Sequence, residues 1–149
     1  MKLTIPRPLQ LEHEELHDQL RKATRETGDI GEAAKAVAKV LHPHFVKEEE
    51  YALPPLGLLT SLAKGEVSPD MAAVLPLTEK LKAQLKEMLA EHQSIVAALR
   101  TLSDAAKREN KPEYAEFADK LILHAETEEE VSYPTAILIG DYLKLKLNK

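Results

Sequence analysis

"HPHFVKEEEYALPP", residues 42–55, sets two histidines, three consecutive glutamates and three prolines in an otherwise apolar stretch. Read as a helix, it places His44 and Glu48 four apart on one face. Val37 and Leu41 precede them on that face, and Tyr51 follows. An amphipathic helix buries such a face. An ionisable group buried there is costly unless it is paired or coordinated. The stretch therefore asks what partner His44 and Glu48 share.

Helical periodicity extends from this stretch in both directions. The helix that contains it runs from about Glu32 to Leu53, where Pro54 and Pro55 stop it. Pro43, inside it, removes one hydrogen bond and should kink it. An earlier helix runs from after Pro8 to about Thr27, with Leu9, His13, Leu16 and Leu20 as its stripe; Gly28 and Gly31 mark the turn. "LGLLTSLAKG" reads as a short connecting helix. "SPDM" reads as a helix start, with Ser68 as N-cap and Pro69 in the first turn. Pro76 breaks or bends the chain. A third long helix covers about Leu77 to Glu109, with the stripe Leu81, Leu85, Met88, His92, Ile95 or Val96, Leu99 and Leu102. A fourth covers about Pro112 to Ser132, with Tyr114, Phe117, Leu121, His124, Glu128 and Val131. Pro134 interrupts it before a last helical segment, about Thr135 to Leu147. No stretch alternates with period two, so no strands are expected. The fold class is all-α: an antiparallel four-helix bundle with short extra helical segments.

The two halves resemble each other. "EHEELHDQLRKAT" (12–24) lies over "EHQSIVAALRTLS" (91–103) at an offset of 79, matching Glu12/Glu91, His13/His92, Leu20/Leu99 and Arg21/Arg100. "LHPHFVKEEEYALPP" lies over "LILHAETEEEVSYPT" at an offset of 80, matching His44/His124, the three glutamates from Glu48/Glu128 onward, and Pro54/Pro134. The geometric consequence is a pseudo-twofold bundle whose repeat halves are about 9–55 and 77–134. The shared positions are polar ones inside apolar stripes, whereas a packing repeat would share its Leu and Val positions first.

Each long helix thus carries one inward histidine: His13, His44, His92 and His124. Glu48 and Glu128 follow one turn later on the second and fourth. No Lys or Arg shares these stripes, so the compensating cations must come from elsewhere, and metal ions supply them. Imidazole and carboxylate ligation without sulfur favours iron or manganese, with zinc possible. Two metals bridged by Glu48 and Glu128, each also held by two histidines, would use all six groups.

Composition agrees with a single domain, residues 1–149. The chain is 44% hydrophobic and 30% charged, with a net charge of −5. That charge, with no dense Lys/Arg run, weighs against a nucleic-acid binder. Cysteine is absent, which excludes disulfides and thiolate ligands. No signal-peptide core and no membrane-length apolar run are present, so a cytoplasmic location is expected. Only 5 glycines and no phosphate loop leave nucleotide readings without support; Ser94, near His92, has no partner that would make it a nucleophile.

The pattern His13, His44-x-x-x-Glu48, His92, His124-x-x-x-Glu128 resembles the hemerythrin-like family, the HHE cation-binding domain, over nearly the whole chain. The resemblance implies a four-helix bundle around a non-haem di-iron site. It departs from the oxygen-carrying members, which have His-x-x-x-His on the third helix and His-x-x-x-x-Asp on the fourth. Here Val96 stands four residues after His92. Glu129 holds the five-residue spacing after His124, although the repeat favours Glu128. His17, four after His13, corresponds to Val96, as if the extra histidine had moved to the first half; His17 is open as a ligand, a residue bracing one, or a residue at the boundary of the buried face. Glu129 remains open as a brace, an alternative ligand or a solvated residue. Members often carry an aromatic at the position of Tyr133, so Tyr133 is open as core, brace or phenolate ligand. Tyr51 is a candidate for lining the pocket. His42, Glu50 and Glu130 are expected at the surface.

The function implied is a di-iron protein that binds or reacts with dioxygen, peroxide or nitric oxide, as an oxygen-binding protein or a peroxide- or nitric oxide-reactive oxidoreductase. Fewer histidines than an oxygen carrier make reversible oxygen transport the weaker expectation. The alternative is an iron- or oxygen-responsive regulatory module, or an iron store, without turnover. A redox or regulatory protein partner would accompany either, with no nucleic acid and no membrane.

Overall fold

The computed structural model describes residues 2–149. It is an all-helical four-helix bundle with no strands among the described residues. α1 (Arg7–Thr24) carries Pro8 in its first turn, where a missing N–H leaves no bond unmade, so the helix begins before the proline. Gly28, with φ of 73°, reverses the chain and opens α2 (Gly28–Lys47), which starts earlier than the expected Glu32. A Cβ on Gly31 would lie 1.9 Å from the Glu26 carbonyl oxygen, so this position admits no side chain. α2 continues through Pro43, which faces outward.

The connection that follows contains a 3-10 segment (Pro54–Leu58), the short α3 (Leu59–Ala63) and a second 3-10 segment (Pro69–Val74). Ser68 has the extended backbone of an N-cap, but its hydroxyl turns to the Asp70 carboxylate and caps no N–H. α4 (Leu75–Arg108) takes Pro76 into its first turn and is not broken by it. Asn110, with φ of 57°, makes the turn into α5 (Pro112–Thr127), and α6 (Tyr133–Leu147) ends the chain.

α1 packs on α2 and α5, and α4 packs on α2 and α5, closing a ring of four. Two apolar clusters fill it. One contains Leu16, Leu20, Val37, Leu41, Ile95, Leu99, Phe117 and Leu121. The other contains Tyr51, Leu53, Met71, Leu81, Met88, Tyr133 and Leu143. α1 and α4 run from the second cluster to the first, and α2 and α5 run back, so ring neighbours are antiparallel. The inward histidines and glutamates occupy the level between the clusters. Of the two residues left open for α4, Ile95 is the buried one and Val96 is half-exposed.

Both helices that carry the inward glutamates widen at the same place. Residues Glu48–Ala52 and Glu128–Ser132 form single π turns. The Leu53 N–H bonds the Glu48 carbonyl at 2.8 Å, and the Tyr133 N–H bonds that of Glu128, each five residues back. The prolines that follow have no N–H to give the ordinary ladder, and a π turn absorbs the mismatch. Two sequence expectations are corrected here. Pro134 does not interrupt the fourth helix, because α6 begins with Tyr133 directly after the π turn and Pro134 lies in its first turn. Val131 does not face the core: it is 57% exposed, because the wide turn advances the inward position to Ser132 and Tyr133. No helix of the described residues is long and apolar enough to cross a membrane.

Candidate metal centre

His13, His44, Glu48, His92, His124 and Glu128 are all buried at the level between the two apolar clusters. They form two groups. His44, Glu48, His92 and Glu128 present one ligand atom each within 4.8 Å of one another, and so do His13, His124 and Glu128. Glu128 belongs to both. Glu48 approaches the second group, with Oε1 3.9 Å from His13 Nε2. In that group the Nε2 atoms of His13 and His124 lie 3.2 Å apart, the spacing of two nitrogens each about 2 Å from one metal. The i,i+4 spacing places Glu48 Oε2 3.6 Å from His44 Nε2, and Glu128 Oε2 3.3 Å from His124 Nε2.

The outward nitrogens of three histidines are held by carboxylates. His44 Nδ1 donates to Glu91 at 2.7 Å, His92 Nδ1 to Glu129 at 3.0 Å, and His124 Nδ1 to Glu12. Such partners fix the tautomer and turn the Nε2 lone pair inward. Glu91 is itself held by Lys47 at 2.5 Å. His13 is the exception. Its Nδ1 has no hydrogen-bond partner, Glu49 stands 3.7 Å away, and its ring stacks on Phe45 with centroids 4.3 Å apart. Glu12 and Glu91, matched in the repeat, serve the same role, whereas Glu49, the counterpart of Glu129, stands near its histidine without bonding it. Glu12 and Glu91 were visible in the sequence as a matched pair but had no role there. A carboxylate beside a histidine on a neighbouring helix leaves no periodic signal of its own.

Tyr133 breaks the symmetry. Its hydroxyl donates to Glu48 Oε2 at 2.6 Å and lies 3.1 Å from His44 Nε2 and 3.2 Å from His92 Nε2. It therefore adds a phenol oxygen to the first group. The equivalent position in the other half is Leu53, which is apolar and buried.

The remaining sequence candidates lie elsewhere. His17 belongs to neither group; it is half-buried, with its ring centroid 6.2 Å from that of His42. Glu129 is outside both groups and braces His92. Tyr51 packs in the second apolar cluster, its hydroxyl 3.5 Å from Met88 Sδ. Glu50 and Glu130 are exposed, and Glu50 pairs with Lys80.

The charges at the centre are opposed. Burial, and then the charge of Glu128, hold the Glu48 carboxyl well above the usual range. Burial also works to raise Glu128, but the neighbouring Glu48 carboxyl and the imidazoles of His124, His13 and His92 hold it well below. Burial lowers His92 and His124, yet Glu128 and the outer carboxylates bring both above the ordinary imidazole value. Burial leaves His44 below it in spite of Glu91. Burial, with Glu48 and Glu128 nearby, pushes Tyr133 far up, so it stays a neutral donor.

Two buried carboxylate oxygens, Glu48 Oε1 and Glu128 Oε2, have no hydrogen-bond partner. An orphaned buried carboxylate oxygen is expensive. A cation satisfies both, and imidazole nitrogen with carboxylate oxygen is a donor set for first-row divalent metals. The residues fit metal binding.

A family model described as the hemerythrin HHE cation-binding domain matches residues 5–136. No curated protein and no solved structure matches the chain.

Proposed function

We propose, since this chain belongs to the hemerythrin HHE cation-binding domain family, that it is a non-haem di-iron protein which binds or reacts with a small oxidant. The observation that carries the reading is the pair of interlocking His/Glu groups with orphaned carboxylate oxygens between them. One iron would be held by His44, His92, Glu48 and Glu128 beside the Tyr133 hydroxyl. The other would be held by His13, His124 and Glu128, with Glu48 reaching across. Bound there, the two metals supply redox change and open coordination positions to dioxygen, peroxide or nitric oxide.

The chain's own residues set the conditions for that chemistry. Glu12, Glu91 and Glu129 orient His124, His44 and His92. The apolar clusters on either side keep bulk water from the level of the glutamates. Tyr133 keeps its proton and directs its hydroxyl at Glu48, 2.6 Å away, so it would orient Glu48 and offer a hydrogen bond beside the first position. Manganese or zinc would suit the same donors less selectively. We place the protein in the cytoplasm, with a redox or regulatory protein as its partner.

Metal analysis and an optical spectrum of protein purified in air test the reading. Two irons per chain with the charge-transfer bands of a bridged ferric pair are expected. Well-folded protein that takes up no iron would refute it. The regulatory or storage alternative draws on the same orphaned oxygens, because a fold that needs its metal can report on metal supply. It predicts a large iron-dependent gain in thermal stability with no peroxide or nitric oxide turnover, whereas fast turnover by the iron-loaded protein selects the first reading.

A further inference from the structure

We infer that the cleft between α1 and α2 carries a second, solvent-facing site for a divalent cation, built on His17 and His42, from which metal passes to the buried centre by way of His13. The inference rests on the reading of the buried groups as a metal centre.

The cleft measures about 390 Å³, and its lining includes His13, Glu14, His17, Asp18, His42 and Glu49. His17 and His42 meet edge to face, with ring centroids 6.2 Å apart. The paired histidines of the centre stand at 5.1 Å and 4.6 Å. His42 is exposed, and rotation about its side-chain bonds would bring the two rings to that spacing. Two imidazoles with carboxylates and no sulfur are donors for first-row divalent ions. Arg21 also lines the cleft, but its guanidinium is directed to Asp18 at 3.4 Å. Three carboxylates against one arginine leave the cleft attractive to cations.

His13 joins the cleft to the centre. It borders the cleft, it is buried, and it alone among the four inward histidines lacks a partner on Nδ1. A ligand without a brace is the one that can turn to take up a metal and turn back.

The pseudo-twofold supplies an internal control. A cleft of about 360 Å³ lies between α4 and α5 in the equivalent place. His92, Arg100 and Glu129 there repeat His13, Arg21 and Glu49. Val96, Ala97 and Ile122 stand where the first cleft has His17, Asp18 and His42. The donors are thus a property of one cleft and not of the groove that any such pair of helices makes.

The test follows Co²⁺ uptake by the metal-free full-length chain, read optically, in three forms: the native sequence, the doubly substituted His17→Ala/His42→Ala chain, and Gln93→Ala in the opposite cleft as control. The native chain is expected to take up one more equivalent than the double variant. The double variant is expected to reach the same final spectrum of the buried centre, which also shows that it is folded, but at least about tenfold more slowly. Gln93→Ala is expected to load at the native rate. Equal loading rates in the native chain and the double variant overturn the inference. No buried loading in the native chain is a separate result: it overturns the metal-centre reading, while the surface equivalent is still scored by its loss in the double variant.

Discussion

The two halves of the bundle use the same residue types to build unequal His/Glu groups. On the His44/His92 side both histidines are clamped through Nδ1, at 2.7 Å and 3.0 Å, and a tyrosine hydroxyl closes the group. On the His13/His124 side only His124 is clamped, His13 leans on Phe45, and no hydroxyl is present. The difference teaches that a repeat can preserve ligands while their surroundings diverge. The surroundings decide how firmly each group is held, and His13/His124 is the less firmly braced one.

The comparison breaks first at the residue common to both positions. Glu128→Gln should abolish stable loading of both, and metal analysis should find well under one ion per chain. Two ions retained in that variant would mean that Glu128 bridges nothing. Native metal itself should stabilise the fold by about 4 kcal/mol at free metal a thousandfold above its Kd, and a chelator should remove that gain in a thermal melt.

The braces give a finer contrast. Glu91→Gln should weaken metal at the His44 position by roughly 10- to 100-fold, because a tight Nδ1 partner is lost. Glu49→Gln, 3.7 Å from an unpartnered nitrogen, should change affinity by less than about tenfold. Competition titration separates the two, and equal losses would erase the proposed asymmetry. Tyr133→Phe should cost the metal-free fold about 1–3 kcal/mol by leaving Glu48 Oε2 short of its donor. In the loaded protein it should alter the optical spectrum of one metal only.

The smallest effect is in protons. Glu48, His92 and His124 titrate above their ordinary values in the metal-free fold. The stability they contribute is full below their unfolded values and is lost as pH rises through the folded ones. Glu128 and His44 are depressed and act oppositely, losing their contribution as pH falls through their folded values. Metal competes with protons for these carboxylates and imidazoles, so loading should release protons and affinity should rise with pH. A weakly buffered titration that shows no acidification would contradict this.

Some of the site was legible in the chain and some was not. His44 with Glu48, and His124 with Glu128, announce themselves because a helix brings residues four apart to one face. His13 and His92 stand out as polar residues in apolar stripes. The stripes of α1, α2 and α4 read correctly for the same reason. Val131 was misread because a π turn changes the period without a distinctive sequence mark. Pro134 was misread because a proline that ends an α-helical ladder can also begin the next helix.

The sequence by itself determined four amphipathic helices, their order, the repeat and the polar level within it. These follow from local periodicity, which the backbone imposes wherever the residues lie. Only the tertiary structure decided that His17 stands outside both groups, that Glu12 and Glu91 brace histidines on other helices, and that the Tyr133 hydroxyl joins one of the two His/Glu groups. Each of these depends on how neighbouring helices are rotated and set against one another, and that is fixed by packing across the bundle.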